Sequence, residues 1–252
     1  MKINIYSLKH LLEDVLIQKG IAKKDAVFIA NDYWIAEISG KKTHGIIKFY
    51  KELAYYNDKK GSPQIIIDKG PIALVDANRE IGQLSAKFCI DLLKKRTKRY
   101  GVAIVGMKNS QRYGVLSTWV KILAESSLIG IAINSSEPAT AVYGGISPVL
   151  GTNPIAIAIP MHNKKPILID MATSKSPMGS LLYSSIYNRP LSSKTFIDKK
   201  GQYTTKPNEV HAVENFGGYK GYALSLALEV LSGSLLSAKM GSEIKSHYDV
   251  GY

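Results

Sequence analysis

The feature that most constrains the fold is a series of short apolar runs that do not alternate regularly with helices. Runs such as "VAIVG", "IAIAIP" and "ILIDM" are rich in β-branched residues and are bounded by glycine, proline or polar residues, which is typical of buried strands. Two further runs, "QIIID" and "IALVD", are separated only by Lys69, Gly70 and Pro71, which predicts a hairpin. Because helix and strand mix without strict alternation, the sequence favours an α+β fold over a doubly wound one.

Two amphipathic helices are predicted near the N-terminus. The first is capped by Ser7 and stops at Gly20, and the second runs from about Lys24 to Ser39 with Gly40 as its left-handed terminator. A third helix is predicted over "THGIIKFYKELAYY", and later helices over "GQLSAKFCIDLLKKRTKRY", "LSTWVKILAES" and "GYALSLALEVLSG". The interpretation is an N-terminal helical segment, residues 1–60, followed by an α+β domain, residues 61–252, in which the polar stretch 174–216 shows little periodicity.

Composition excludes several classes of protein. No apolar run of the 252-residue chain approaches the roughly 18 residues that span a bilayer, and the N-terminus does not resemble a signal peptide. Cys89 is the only cysteine, which excludes an internal disulfide and favours the cytoplasm. The net charge is +13, but the densest basic cluster, Lys94 to Arg99, lies at a predicted helix end. We therefore expect a small anion, not a nucleic acid, as the partner. No metal-binding motif such as HExxH is present.

Four polar, glycine-containing segments stand at the ends of predicted elements, where functional sites tend to lie. They are "THG" at 43–45, "NSQRYG" at 109–114, "GTNP" at 151–154 with "DMATS" at 170–174, and "GGYKGY" at 217–222. In the first, His44 is either a proton carrier or a helix-end residue with a satisfied imidazole. In the second, Asn109 and Ser110 offer hydrogen bonds, and Arg112 offers a fork suited to carboxylate or phosphate. The alternative there is a turn capped by Ser110, with Arg112 in solvent.

The other two segments suggest a nucleotide. Asp170 can accept a hydrogen bond from a ribose hydroxyl, and Thr173 and Ser174 can donate to a phosphate; the alternative is that Thr173 or Ser174 only caps the next turn of the chain. Backbone amides and Lys220 of "GGYKGY" suit an anion at a helix N-terminus, or else form only a tight turn. No GxGxxG follows a strand, so a nicotinamide cofactor would not bind through a Rossmann fingerprint.

Taken in order, these segments resemble the type 2 malate/L-lactate dehydrogenase family along nearly the whole chain. The matching phrases are "THGIIKFY", "GQLSAKFCIDL", "GVAIVGMKNSQRYG", "PVLGTNPIAIAIP", "ILIDMATS", "TTKP" and "GGYKGYALSLALEVLSG". The resemblance implies a non-Rossmann α+β fold with a large, mostly antiparallel sheet, and a homodimer. It also implies hydride transfer between NADH or NADPH and a small 2-oxo or 2-hydroxy acid, or the reduction of a cyclic imine beside a carboxylate.

The resemblance also implies roles for individual residues. It makes His44 the proton donor or acceptor, a task for which an imidazole with an ordinary pKa of about 6.5 is suited. Substrate-binding candidates are Lys48, Asn109, Ser110 and Arg112. Cofactor-binding candidates are Thr152, Asn153, Asp170, Met171, Ala172, Thr173, Ser174, Gly218 and Lys220.

The sequence departs from the family pattern at three places. Lys48 stands where the family has an arginine, so a bidentate grip on a carboxylate is lost. Arg112 replaces a histidine that is a second acid/base candidate; it cannot exchange a proton near neutral pH, but it can hold a carboxylate. Family members also commonly run longer, so part of the nicotinamide site is expected to be absent, rebuilt or supplied by another chain. The alternative function is therefore a ligand- or partner-binding protein, or a non-redox reaction in the same pocket.

Overall fold

The computed structural model describes residues 3–252 and confirms the α+β class. Its helices are α1 (Ile5–Gln18), α2 (Lys23–Ile38), α3 (Ile46–Glu52), α4 (Gly82–Tyr100), α5 (Leu116–Ala124), α6 (Met178–Ile186) and α7 (Tyr219–Ser232). Its strands are β1 (Gln64–Lys69), β2 (Ile72–Asp76), β3 (Ile104–Lys108), β4 (Gly130–Ile133), β5 (Thr140–Ala141), β6 (Pro148–Leu150), β7 (Ile155–Met161), β8 (Lys164–Met171), β9 (Phe196–Ile197), β10 (Tyr203–Thr204) and β11 (Ala212–Val213).

The strands form three sheets within the described residues, so the strand content expected in one large sheet is divided. The strand orders are β1-β2-β3, β10-β9-β11-β5-β6 and β4-β7-β8. The predicted hairpin is present as β1 and β2. Pairing is antiparallel except between β2 and β3 and between β5 and β11. The sheets remain separate because they pack against different helices: α4 lies on β3, whereas α5 lies on β4, β7 and β8.

Two apolar clusters hold the helices in place. The larger lies between α4, α5 and the sheets and contains Trp119 and Val120 of α5 together with Ala156 and Ala158 of β7. The smaller joins α1, α2 and α3 around Tyr33, which is fully buried. Because α2 also contacts α4, the N-terminal helices pack directly onto the rest of the chain.

Several predicted boundaries were wrong. The first helix is capped by Asn4, not by Ser7, because Asn4 Oδ1 accepts the Tyr6 N–H at 2.8 Å. The third helix is interrupted: a 3₁₀ turn covers Lys42–His44, and α3 begins only after Gly45. Helix α6 was missed in the polar stretch, where serines hide its periodicity, and the two-residue strands there are too short to show any. No helix within residues 3–252 has the length and apolar character to cross a membrane.

Helix α2 ends, as predicted, at a glycine in the left-handed backbone conformation. Gly40 has φ +78°. Its N–H donates to Glu37 O at 3.1 Å, and the Lys41 N–H donates to Ala36 O at 2.9 Å, the hydrogen-bond pair of a Schellman motif. The turn fixes the direction in which the following residues leave the helix.

We predict that Gly40→Ala lowers the free energy of unfolding by about 1 kcal/mol, since an L side chain is strained at positive φ. No atom lies within 4 Å of a Cβ built at Gly40, so the loss would be conformational and not steric. Urea unfolding followed by circular dichroism measures it. Ser39→Ala is the matched control, because Ser39 has an ordinary φ of −81° and should change little. Equal losses in both variants would contradict the explanation.

Candidate active site

His44 is placed by the turn that follows α2. The backbone N–H of His44 donates to the backbone carbonyl of Lys41 at 2.8 Å, which closes the 3₁₀ turn. Side chains three residues apart on such a turn lie on the same side, so Lys41 and His44 project together. Thr43 Oγ1 lies 2.9 Å from His44 Nδ1 and steadies the ring. The first turn of α6 packs on Thr43 through Gly179, where a Cβ would lie 2.6 Å from Thr43 Cβ.

A polar cluster of Lys41, Ser117 and Asp170 stands beside this turn. Asp170 is near the end of β8, and its Oδ2 accepts hydrogen bonds from Lys41 Nζ and, at 2.7 Å, from Ser117 Oγ. Lys41 Nζ also lies 3.0 Å from Ser117 Oγ. The cluster therefore ties the α2 exit, α5 and β8 together, and Asp170 forms an ion pair with Lys41.

The surroundings of His44 favour its neutral form. Burial lowers the pKa of its imidazole to about 4, and the cations Lys48 and Lys41 act in the same direction, while Asp170 opposes them. At neutral pH the ring is therefore a proton acceptor. It becomes a proton donor only when a ligand or neighbouring group stabilises the imidazolium.

Lys48 lies in the first turn of α3, close enough to His44 to affect its pKa, but it is not free. Its Nζ is 3.2 Å from Glu52 Oε1. The other carboxylate oxygen of Glu52 accepts from the Tyr33 hydroxyl, which in turn accepts from Tyr56 at 3.3 Å. Glu52 is 4% exposed, so its carboxylate is shielded from water and its ion pair with Lys48 is mostly buried.

The residues of the "NSQRYG" segment have different roles: some only stabilise the local structure, and one is accessible to a ligand. Asn109 Nδ2 donates to Asp76 Oδ1 at 2.9 Å, and the fully buried Ser110 donates to Gln111 O at 2.8 Å. Both side chains are engaged within the protein, which supports the structural alternative for them. Arg112 is not simply in solvent: it forms an ion pair with Glu137, and both side chains are about one-third exposed, at 34% and 36%.

Three loops predicted to hold the cofactor are tied to one another. Thr173 N–H and Oγ1 both donate to Thr152 O, at 2.9 and 3.0 Å, and Phe216 N–H donates to Thr173 O at 3.0 Å. Asn153 Nδ2 donates to Glu229 Oε2 of α7 at 2.6 Å. Asn153 and Thr173 are completely buried, so their side chains build the loops and do not face a ligand.

The remaining cofactor candidates are distributed around these loops. Ser174 Oγ donates to Ser176 O at 2.8 Å, Ala172 is half-buried, and Met171 is 42% exposed. Because successive strand residues point to opposite faces, Met171 lies on the face of β8 away from Asp170 and the two do not form one site.

Two further cofactor candidates, Gly218 and Lys220, stand at the start of α7. Gly218 has φ +61°, and the exposed Lys220 forms no ion pair with any residue from 3 to 252. This cation and the open helix start fit the phosphate portion of a dinucleotide.

Sequence reasoning missed Lys41, Ser117 and Glu52. Lys41 had a usable signal, because it is three residues before His44 in a segment that follows a helix-terminating glycine. Ser117 and Glu52 had none, since their roles depend on which elements pack together. Among residues 3–252, no three His, Cys, Asp or Glu side chains are grouped closely enough to hold a metal ion.

The structure thus combines a histidine-centred polar site with an α+β fold that lacks a Rossmann dinucleotide turn. The chain belongs to the malate/L-lactate dehydrogenase family, whose family model matches residues 3–251. The predicted family and its class, the nicotinamide-dependent oxidoreductases, are thereby confirmed.

Three known proteins illustrate the similarity. The malate/(S)-sulfolactate dehydrogenase of Methanothermus fervidus is 35% identical over 247 residues, which cover 96% of this chain and 73% of the relative. The NAD(+)-dependent ureidoglycolate dehydrogenase of Escherichia coli is 32% identical over 253 residues, 99% of this chain and 72% of the relative. The crystal structure of Δ1-piperideine-2-carboxylate reductase from Pseudomonas syringae superposes with a TM-score of 0.87 at 26% identity, over 97% of this chain and 76% of that one.

We predict that Lys41→Gln raises the pKa of His44 from about 4 toward the ordinary value of 6.5. The substitution removes one cation that disfavours the imidazolium and leaves Asp170 free to stabilise it. A pH titration of the His44 ring signals by NMR measures the shift. Lys42→Gln is the matched control: it removes the same charge from the exposed neighbouring residue, which does not contact Asp170. An unchanged pKa in Lys41→Gln, or equal shifts in both variants, would contradict the assignment.

Proposed function

We propose that the protein is an NAD(P)H-dependent reductase, and in reverse a dehydrogenase, of a small 2-oxo/2-hydroxy acid or a cyclic imino acid. The observation that carries the proposal is the position of His44, partly buried beside the Lys41–Asp170 pair and near the Lys48 cation of α3. The relatives support the substrate class, because their names include malate, sulfolactate, ureidoglycolate and a cyclic imino carboxylate.

His44 handles the proton in this proposal. In the oxidative direction its neutral ring accepts the proton of the substrate hydroxyl, for which a low pKa is suitable. In reduction the imidazolium returns that proton to the carbonyl oxygen or imine nitrogen, and Asp170 stabilises the charged ring. A bound nicotinamide cofactor supplies or takes up the hydride.

Lys48 and Arg112 hold the substrate carboxylate. Lys48 is paired with Glu52, and Arg112 is paired with Glu137. The substrate carboxylate therefore competes with these two side chains for the cations. The partly exposed Arg112–Glu137 pair is the weaker and the easier to exchange, since exposed ion pairs contribute little. Lys220 and the start of α7 hold the cofactor phosphates, and Thr152 stays at the edge of that site through its contact with Ser136.

We expect His44→Gln to lower kcat for 2-oxo acid reduction by about 10²–10⁴-fold, the usual contribution of a general acid–base group. Loss of NADH or NADPH absorbance with a panel of 2-oxo acids and cyclic imines measures activity, and comparison of the two cofactors decides which is used. His162→Gln is the matched control, because His162 is an exposed residue of the turn between β7 and β8. Undiminished turnover in His44→Gln would refute the role, and absence of both turnover and cofactor binding in the wild type would refute the function.

We also propose a homodimer formed through the open face of the β4-β7-β8 sheet. Strand register places Ile131, Ile157 and Ile169 side by side in one row. The same face carries further apolar side chains, namely Ile133, Ile155, Ile159, Ile167 and Met171. Helix α5 covers the opposite face, whereas Ile131 and Ile169 remain 62% and 42% exposed. A contiguous apolar face of this kind is typical of an interface, and a second copy matches it by symmetry. The single buried thiol, Cys89, supports a cytoplasmic location.

Ile169→Asp should convert the dimer to a monomer, because it buries an unpaired carboxylate in the centre of the proposed interface. Light scattering coupled to size-exclusion chromatography measures the mass. Ile66→Asp is the control, since Ile66 is similarly exposed, at 48%, but lies on β1 in another sheet. A wild-type monomer, or dissociation by Ile66→Asp alone, would contradict the assignment of this face.

A further inference from the structure

A narrow polar pocket lies beyond Lys48 on the side away from His44. We call it the acceptor pocket, and its walls are Glu52, Tyr55, Gln111, Arg112 and His247. As it stands in this structure, the pocket is narrower than a water molecule. Three buried polar atoms in its walls have no hydrogen-bond partner: Glu52 Oε1, Gln111 Oε1 and His247 Nε2. Their residues are 4%, 3% and 6% exposed, so bulk water does not satisfy them.

The hydrogen bonds around the pocket show which atoms of Gln111 and Glu52 face it. Gln111 Nε2 donates to Tyr55 O at 2.8 Å and to Arg79 O at 2.9 Å, which places the amide oxygen toward the pocket as an acceptor. Glu52 Oε1 approaches Lys48 Nζ at 3.2 Å but without hydrogen-bond geometry. The pocket therefore presents unpaired acceptors, and the donors beside them, Lys48 and Arg112, are cations engaged in ion pairs.

His247 completes the set and is held by stacking. Its ring centroid lies 4.4 Å from that of Tyr55 and 4.0 Å from that of Tyr248. Burial lowers the pKa of the imidazole to about 4, so the neutral ring can present Nε2 as an acceptor. His247 is thus packed between aromatic rings, yet its Nε2 has no hydrogen-bond partner.

We propose that the acceptor pocket receives the carbamoyl group, –C(=O)NH₂, of a substrate whose carboxylate contacts Lys48. The proposal rests on the proposed function, in which Lys48 holds that carboxylate. The two N–H groups of a carbamoyl supply neutral donors to the unpaired acceptors, and Arg112 remains with Lys48 on the carboxylate. An ammonium group would instead face the cations Lys48 and Arg112, so the neutral donor fits better.

The geometry also limits the length and entry of the ligand. Lys48 Nζ and Glu52 Oε1 are 3.2 Å apart, so a ligand that contacts both side chains is short. Entry requires Arg112 to move, because the pocket is too narrow as it stands. Its one ion pair, to Glu137, is partly exposed and therefore exchangeable.

Calorimetric titration of the full chain with succinamate and with succinate tests the proposal, because the two ligands differ only in the carbamoyl group. We expect succinamate to bind about tenfold more tightly, the effect of satisfying otherwise unpaired buried acceptors. The preference should disappear in His247→Phe, which retains the aromatic stack, and in Gln111→Met, and should persist in the surface control His162→Phe. Equal or weaker binding of succinamate by the wild type, or an unchanged preference in folded His247→Phe and Gln111→Met, would overturn it.

The same samples separate this inference from the proposed function. NADH and NADPH titrations, with turnover of 2-oxosuccinamate against oxaloacetate, report the redox activity. Turnover without any preference for the amide would refute the acceptor pocket alone. A carbamoyl preference in binding without cofactor binding would refute the oxidoreductase function and leave the pocket standing.

Discussion

The burial of an imidazole next to a fixed pair of opposite charges is the interaction on which the site depends. Lys41 and His44 share one 3₁₀ turn, and Asp170 reaches them from β8. Because Ser117 of α5 also donates to Asp170, three separate elements must be correctly packed before the cluster exists. The electrostatic environment of His44 is thus a consequence of the tertiary fold and of the left-handed exit at Gly40.

The two cations that would hold a substrate are already balanced by carboxylates. Lys48 faces Glu52, and Arg112 faces Glu137. An excess of positive charge over the whole chain therefore does not produce an unopposed cationic pocket at the site. This local balance favours a ligand that combines one carboxylate with neutral polar groups, because a second strong charge would find no unmatched partner.

The loops near the site show how a dinucleotide-binding protein can dispense with the Rossmann turn. Thr152 and Thr173 join two loops through backbone and side-chain hydrogen bonds, and Asn153 links them to Glu229 of α7. In these buried hydrogen bonds, polar side chains that the sequence suggested for ligand binding are paired with other groups of the protein. The outer position Lys220 remains exposed, next to residues of the same motifs that are buried.

The sequence by itself determined the α+β class, the β1–β2 hairpin, the end of α2 at Gly40 and the position of His44 just beyond it. These features are encoded locally, in β-branched runs, turn residues and helical periodicity. Only the tertiary structure decided that Asp170 pairs with Lys41, that Asn109, Ser110 and Asn153 are internal, and that His247 meets Gln111 across the acceptor pocket. Such contacts join residues far apart in the chain, and no local pattern specifies them, because the packing of helices and sheets alone determines which side chains meet.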